Sequence, residues 1–239
     1  MHQFLHLVFE VAAFALAFAY YQLVRVRQGD AIGDPQRMSI IIAAAVGAFL
    51  GSRILGALER PDLLEWNMGA LFGALGNRTI VGGLLGGLMA VELTKRAMDV
   101  TTSSGDLFTY PLILGILIGR VGCLLGGLED NTYGVATDLP WGIDLGDGIR
   151  RHPTNLYEML WLAFTWVILV RIERRFELLN GARFKLFMVM YLLFRLIVEI
   201  IKPQPMVFMG VSSIQWACLL GLAYYYKVFI FPKRSLIHA

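Results

Sequence analysis

Three arginines stand inside apolar runs of this chain: Arg53 in SIIIAAAVGAFLGSRILGAL, Arg120 in LFTYPLILGILIGRVGCLLGG and Arg195 in LFMVMYLLFRLIVEII. An arginine at the centre of a membrane helix costs roughly 2.5–3.5 kcal/mol on insertion, so three on separate helices call for an anion that meets them. In a bilayer the natural candidate is a lipid phosphate. Guanidinium forks bind phosphate oxygens bidentately and keep their charge, which suits them to hold a phosphate and to stabilise charge that develops on it. Other groups of the same kind accompany them. Glu199 follows Arg195 at the i,i+4 spacing that places both on one helix face, Glu10 interrupts the first apolar run, and Tyr157 and Glu158 open a later one.

The elements that must position these residues are membrane helices. With 57% hydrophobic and 16% charged residues and a mean hydropathy of +0.62, the composition is that of an integral membrane protein and excludes a water-soluble core. Runs of spanning length, about 17–25 residues, occupy 4–24, 38–58, 107–126, 156–172, 184–201 and 208–231. A shorter, glycine-rich run at 80–92 follows the half-polar segment 66–78, and the pair reads as a re-entrant piece leading into a helix. The expected fold is therefore an all-α integral membrane protein of about seven transmembrane helices, one polytopic domain over 1–239. A six-span count, without the 80–92 helix, would place the two ends on the same side. The segment 127–153, rich in Gly, Pro, Asp and Asn but carrying Tyr133 and Trp141, predicts a small extracytoplasmic head loop at headgroup level.

Basic residues near the span ends set the orientation. With the N-terminus outside, thirteen lysines and arginines fall on the inner segments and five on the outer ones, which predicts N-out, C-in. The net charge of +3 then follows from topology, and basic residues this dispersed predict no nucleic-acid partner. The first run lacks a positive n-region and a small-residue cleavage site ahead of it, so a retained helix is expected. Cys123 and Cys218 lie in apolar runs without Cys/His spacing, which predicts neither a disulfide scaffold nor a metal site.

In this topology Arg53, Arg120 and Arg195 each lie five or six residues before an outer helix end, roughly 8–9 Å deep at 1.5 Å per residue. Glu10, six residues into a run of opposite direction, reaches a similar depth. One cavity open to the outer leaflet, with Glu10 and Glu199 as counter-charges, is the expectation. Snorkelling stems or structural arginine–glutamate pairs are the plainer alternative for any one of them. Gly82, Gly83, Gly86 and Gly87 are open to two uses, close helix packing or a phosphate contact, with packing the commoner in membranes.

Longer motifs carry a family resemblance. GRVGCLLGGLEDNTYG from Gly119, RHPTNLYE from Arg151 and YLLFRLIVE from Tyr191 resemble the G-R-x-G-N-F-x-N-G-E, R-H-P-S-Q-L-Y-E and Y-x-x-F-R-x-x-V-E patterns of bacterial prolipoprotein diacylglyceryl transferases. The Gly51-Ser52-Arg53 turn resembles the family's G-G-R, and Gly82-Gly83 its H-G-G. The resemblance implies transfer of a diacylglyceryl group from phosphatidylglycerol to the cysteine thiol of a prolipoprotein signal peptide, in the bacterial inner membrane, without a cofactor. On that basis the catalytic candidates are Arg120 and Arg195 as a phosphate clamp, with Glu10 and His152 as candidate bases. Arg53, Tyr157, Glu199, Tyr191, Gly119, Gly122, Gly82 and Gly83 are the candidates for substrate binding. His152 has an equal claim to a turn-holding role in its R-H-P context.

Departures from the pattern fall on polar positions. Val81 stands where the family has the histidine of H-G-G, Cys123 and Gly126 where it has asparagines, and Leu128 where it has glutamate, with Glu129 one residue later. Two functions stay open on these residues. One is the transferase; the other is a divergent phospholipid-binding or transporting membrane protein whose transferase chemistry is altered or lost.

Overall fold

A chain in hydrocarbon must satisfy every backbone N–H and C=O within its own segment, and the apolar runs accordingly fold as helices. The computed structural model describes residues 2–59, 76–203 and 209–238, with 2–5 described as backbone alone. Its helices are α1 (His2–Gln28), α2 (Asp34–Leu58), α3 (Ile80–Ala97), α4 (Asp106–Gly126), α5 (Thr154–Arg175), α6 (Ala182–Val198) and α7 (Ser213–Tyr224), followed by the short α8 (Tyr226–Ile230) and α9 (Pro232–Leu236). Helix starts carry local signals. Thr79 accepts a hydrogen bond from the backbone of Gly82 ahead of α3, and Ser212 with Gln215 forms a capping box on α7, each satisfying donors that a first turn leaves open.

The all-α membrane expectation holds. Four described segments, His6–Gln28, Asp34–Leu58, Asp106–Asp130 and Thr154–Arg175, are long and apolar enough to cross a membrane. Phe14, Val26, Phe49 and Leu160 on these helices expose more than half of their surface, as lipid-facing side chains do. The expected run 184–201 forms α6 and a closing 3₁₀ turn, Glu199–Ile201. Within 208–231, α7 ends at Tyr224 and Tyr225 separates it from α8, so helix there is interrupted where the sequence predicts one span. Most of the expected re-entrant piece 66–78, and Phe208, lie outside the described residues.

The chain divides into two compact units, 1–30 with 103–203 and 227–239, and 31–102 with 204–226. In the first, α1 lies along α4, and α5 and α6 pack on α4 in turn. Tyr21 stacks on Phe108 with ring centroids 4.6 Å apart, and Leu162, Leu169, Phe187, Met188 and Leu192 are fully buried between the helices. Asp106, at the start of α4, accepts from the backbone N–H groups of Gly181 and Phe184 and so caps α6 from a neighbouring helix.

The second unit is built on the crossing of α2 and α3. Gly47 and Gly51 of α2 face Gly82 and Gly86 of α3, and a Cβ placed on Gly51 or Gly82 would overlap the carbonyl oxygen of the other. Small residues four apart on both helices let backbones touch, the usual route to tight association in lipid. Gly82→Val is expected to lower thermal stability in detergent by about 1–3 kcal/mol or more, because the nearest atom it meets, Gly51 O at 2.3 Å, is backbone and cannot turn aside. Gly83→Ala, whose new methyl meets Ala48 O at 3.6 Å, is expected to be near neutral. Equal melting temperatures for the two variants would contradict this account of the crossing.

Candidate active site

Four buried charges and a phenol meet where α4, α5 and α6 converge. Arg120 on α4 places Nη2 2.8 Å from Glu158 Oε2 on α5. Arg195 on α6 places Nη1 3.5 Å from the same oxygen and donates from Nη2 to Glu199 at 3.0 Å. Tyr191, one helical turn before Arg195, donates to the other Glu158 oxygen at 2.8 Å. All five side chains are essentially out of solvent. Two guanidiniums without counter-charges would be very costly here, and Glu158 and Glu199 supply them.

The cluster is therefore charge-balanced. Glu158 keeps both forks aimed at one point, and Tyr191 fixes Glu158. The Nε–H of Arg120 and of Arg195, with Glu199 Oε1, are buried without a hydrogen-bond partner among the described residues. Buried donors of this kind are rare unless a further group meets them. Donor geometry, more than net charge, is what such a site offers a phosphate.

Glu158 is the residue that sequence reasoning underused. The signal for it was the L-Y-E of RHPTNLYE, which places a carboxylate one turn into α5. Tyr191, a substrate-binding candidate from the sequence, holds Glu158 through its hydroxyl. Gly119 precedes Arg120 and has open space where a Cβ would be, whereas a Cβ on Gly122 would meet Phe9 Cβ at 2.8 Å. Gly119 thus has room for a side chain, and Gly122 lets α1 come close. Glu10 is half-buried on α1, and the described contacts around Glu158 run to Arg120, Arg195 and Tyr191.

Residues 127–153 fold into a small structured segment. Antiparallel strands Ile143–Asp144 and Arg150–Arg151 pair across a turn in which Asp144 accepts from the backbone of Gly146 and Gly148. Arg151 binds both oxygens of Asp147 at 2.7 Å, and this fork holds the Asp147 carboxyl down at about 2. Val135 ties the segment to the 3₁₀ turn that closes α6 by donating to the carbonyl of Ile201. Tyr157 accepts from Trp141 Nε1 at 2.8 Å, and its hydroxyl shares a hydrogen bond with His152 Nδ1 at 3.1 Å. His152 and Tyr157 thus join the loop to the start of α5, in the turn-holding role open to His152 from its motif.

The second unit holds the remaining candidates. Arg53 donates to Gly76 O at 3.1 Å and lies over the Phe49 ring. Gly82 is in the α2–α3 crossing, and Val81, at the family's histidine position, is fully buried. In the first unit, His6, Cys123 and Asp130 bring potential ligand atoms within 4.8 Å of one another. The set could hold a metal ion, but Arg120 Nη1 lies 3.8 Å from the Cys123 sulfur and its charge opposes a cation there. A cavity of about 400 Å³ lies at the far end of the same unit, lined by Asp106, Glu173 and Arg183 among others. There Arg183 pairs with Glu173, which also accepts from Tyr110, so its charges are spent on holding helix ends together.

Two guanidinium forks buried around one carboxylate define the class: a helical membrane protein with a charged cluster in its core. Residues 7–231 match the family model for prolipoprotein diacylglyceryl transferase, and the chain belongs to that family. Its relatives carry the name phosphatidylglycerol–prolipoprotein diacylglyceryl transferase. The protein of Geobacter sulfurreducens is 30% identical over 204 residues, covering 80% of this chain and 75% of its own. That of Nitratidesulfovibrio vulgaris is 33% identical over 195 residues, 76% and 69% of the two chains. That of Finegoldia magna is 26% identical over 189 residues, 78% and 75%. The chain is accordingly a multi-pass bacterial membrane protein.

Proposed function

We propose that this protein transfers a diacylglyceryl group from phosphatidylglycerol to the thiol of a prolipoprotein cysteine, with glycerol phosphate as the leaving group. The observation that carries the proposal is the convergence of Arg120 and Arg195 on Glu158 in a family that bears this activity in its name. Displacing a glyceryl carbon from a phosphate needs charge stabilisation on the departing oxygen, and preorganised donors in a dry site supply it best. Arg120 and Arg195 receive the phosphate. Glu158 and Glu199 hold them forked while no lipid is bound, and Tyr191 holds Glu158. Arg53, in the second unit, remains a substrate-binding candidate on the family motif alone.

We place the reaction at the outer face of the inner membrane, with the N-terminus outside, the chain crossing seven times as one polytopic domain, and 127–153 as an extracytoplasmic head. The thirteen-to-five division of basic residues supports this orientation. Single cysteines placed in 127–153 are expected to react with an impermeant reagent added outside. Labelling from the inside alone would reverse the topology.

The activity itself is tested with membranes containing the protein, phosphatidylglycerol and a peptide that carries the signal-sequence cysteine. The peptide is expected to gain the mass of a diacylglyceryl group on sulfur. Lipid binding without that gain would leave a phospholipid-binding protein in place of the enzyme.

A further inference from the structure

The acceptor thiol has to lose a proton, and in this chain Val81 fills the position of the family's H-G-G histidine. A second polar cluster adjoins the arginines. His6 on α1 places Nδ1 3.0 Å from Asp130 Oδ1. The other Asp130 oxygen accepts from the Thr132 hydroxyl at 2.5 Å, and Thr132 Oγ1 in turn accepts from Asn155 Nδ2 at 3.0 Å. Thr154 adds a hydrogen bond to the Thr132 carbonyl. Asp130 is thus fixed by the first turn of α5 and presents one oxygen to the imidazole. In the neutral ring, an Nδ1 facing a carboxylate carries the proton and leaves the lone pair on Nε2, the arrangement in which a carboxylate orients a histidine base.

Space for this pair comes from a glycine. A Cβ on Gly126 would lie 3.1 Å from Asp130 Cβ and 3.7 Å from His6 Nδ1, and Gly126 stands where the family pattern has asparagine. The cluster also touches the proposed phosphate site, because the sulfur of Cys123 lies within 4.8 Å of the His6 and Asp130 atoms and 3.8 Å from Arg120 Nη1. The His6 side chain remains one-third exposed, while Asp130 is 9% exposed. A base needs this combination of access for itself and burial for its orienter.

We infer that His6 is the general base of the transfer and that Asp130 is its positioning residue; this rests on the transferase function proposed above. Nε2 takes the proton from the acceptor S–H. The sulfur pair forms the new C–S bond as the glyceryl C–O bond breaks, and the bonding pair leaves on the phosphate oxygen held by Arg120 and Arg195. The imidazolium then returns its proton to the departing phosphate or to water. The charged and titratable groups around His6 are Asp130 and the exposed Glu129 from 127–130, Cys123 and beyond it Arg120 from α4, and Glu10 one turn along α1.

The test is diacylglyceryl transfer to a cysteine peptide from phosphatidylglycerol, in membranes matched for protein level, at pH 7 and above about pH 8.5, where a free thiol ionises unaided. His6→Gln is expected to lose about 10²–10⁴-fold at pH 7 and to recover toward the parent rate at the higher pH. Asp130→Asn should show a smaller loss with the same pH trend, and it serves as the test if His6→Gln does not accumulate. A His6→Gln rate equal to the parent, or a defect that does not change with pH, would overturn the inference. So would activity that EDTA abolishes and zinc restores, which would make the cluster a metal site. An inactive parent protein at every pH would instead defeat the transferase function and is read separately.

Discussion

Arg120→Lys and Arg195→Lys are each expected to slow diacylglyceryl transfer by about 10²–10³-fold, the effect of removing one preorganised donor from a developing oxyanion, or about 2.7–4 kcal/mol. Lysine keeps the charge and much of the stem, so the bilayer cost and the pairing with Glu158 are largely preserved. It loses the planar fork. Arg195 divides its two terminal nitrogens between Glu158 and Glu199, and one ammonium cannot span both carboxylates and also reach a phosphate. The defect should therefore lie in turnover more than in membrane accumulation. Transfer rates normalised to protein level measure it, and near-normal rates in both variants would remove this site from the chemistry.

The second large effect is on stability. Glu158→Ala leaves Arg120 without its carboxylate and Arg195 with Glu199 alone, in a site where all these side chains are nearly solvent-free. Removing one partner of a buried ion pair costs about 3–5 kcal/mol, because the remaining charge is stranded. Sharply lower accumulation and melting temperature are expected. Replacing Arg120 and Glu158 together by leucine removes both charges and keeps the Arg195–Glu199 pair, so it should recover most of the stability and none of the transfer. A double variant as unstable as Glu158→Ala would show that stranded charge is not the cause.

Composition and spacing carried much of this protein in one dimension. Apolar runs define membrane helices because hydrocarbon admits little else, and an arginine within such a run announces an anionic partner by its cost alone. The i,i+4 pairing of Arg195 with Glu199 was legible for the same reason, since a helix turns the sequence interval into a distance. So was the family, whose motifs are contiguous stretches of chain.

What only the tertiary structure decided is which distant residues share a point. Glu158 lies 38 positions from Arg120 and 37 from Arg195, and no periodicity says that one carboxylate serves both. That depends on how α5 lodges against α4 and α6. An isolated histidine at the start of a helix, such as His6, carries no sequence pattern; its pairing with Asp130 depends on the turn after α4 that brings Asp130 back to α1. Gly82 and Gly126 have the same side chain and opposite uses, one admitting a neighbouring backbone and the other a neighbouring Asp–His pair. A glycine offers space, and only packing determines what fills it.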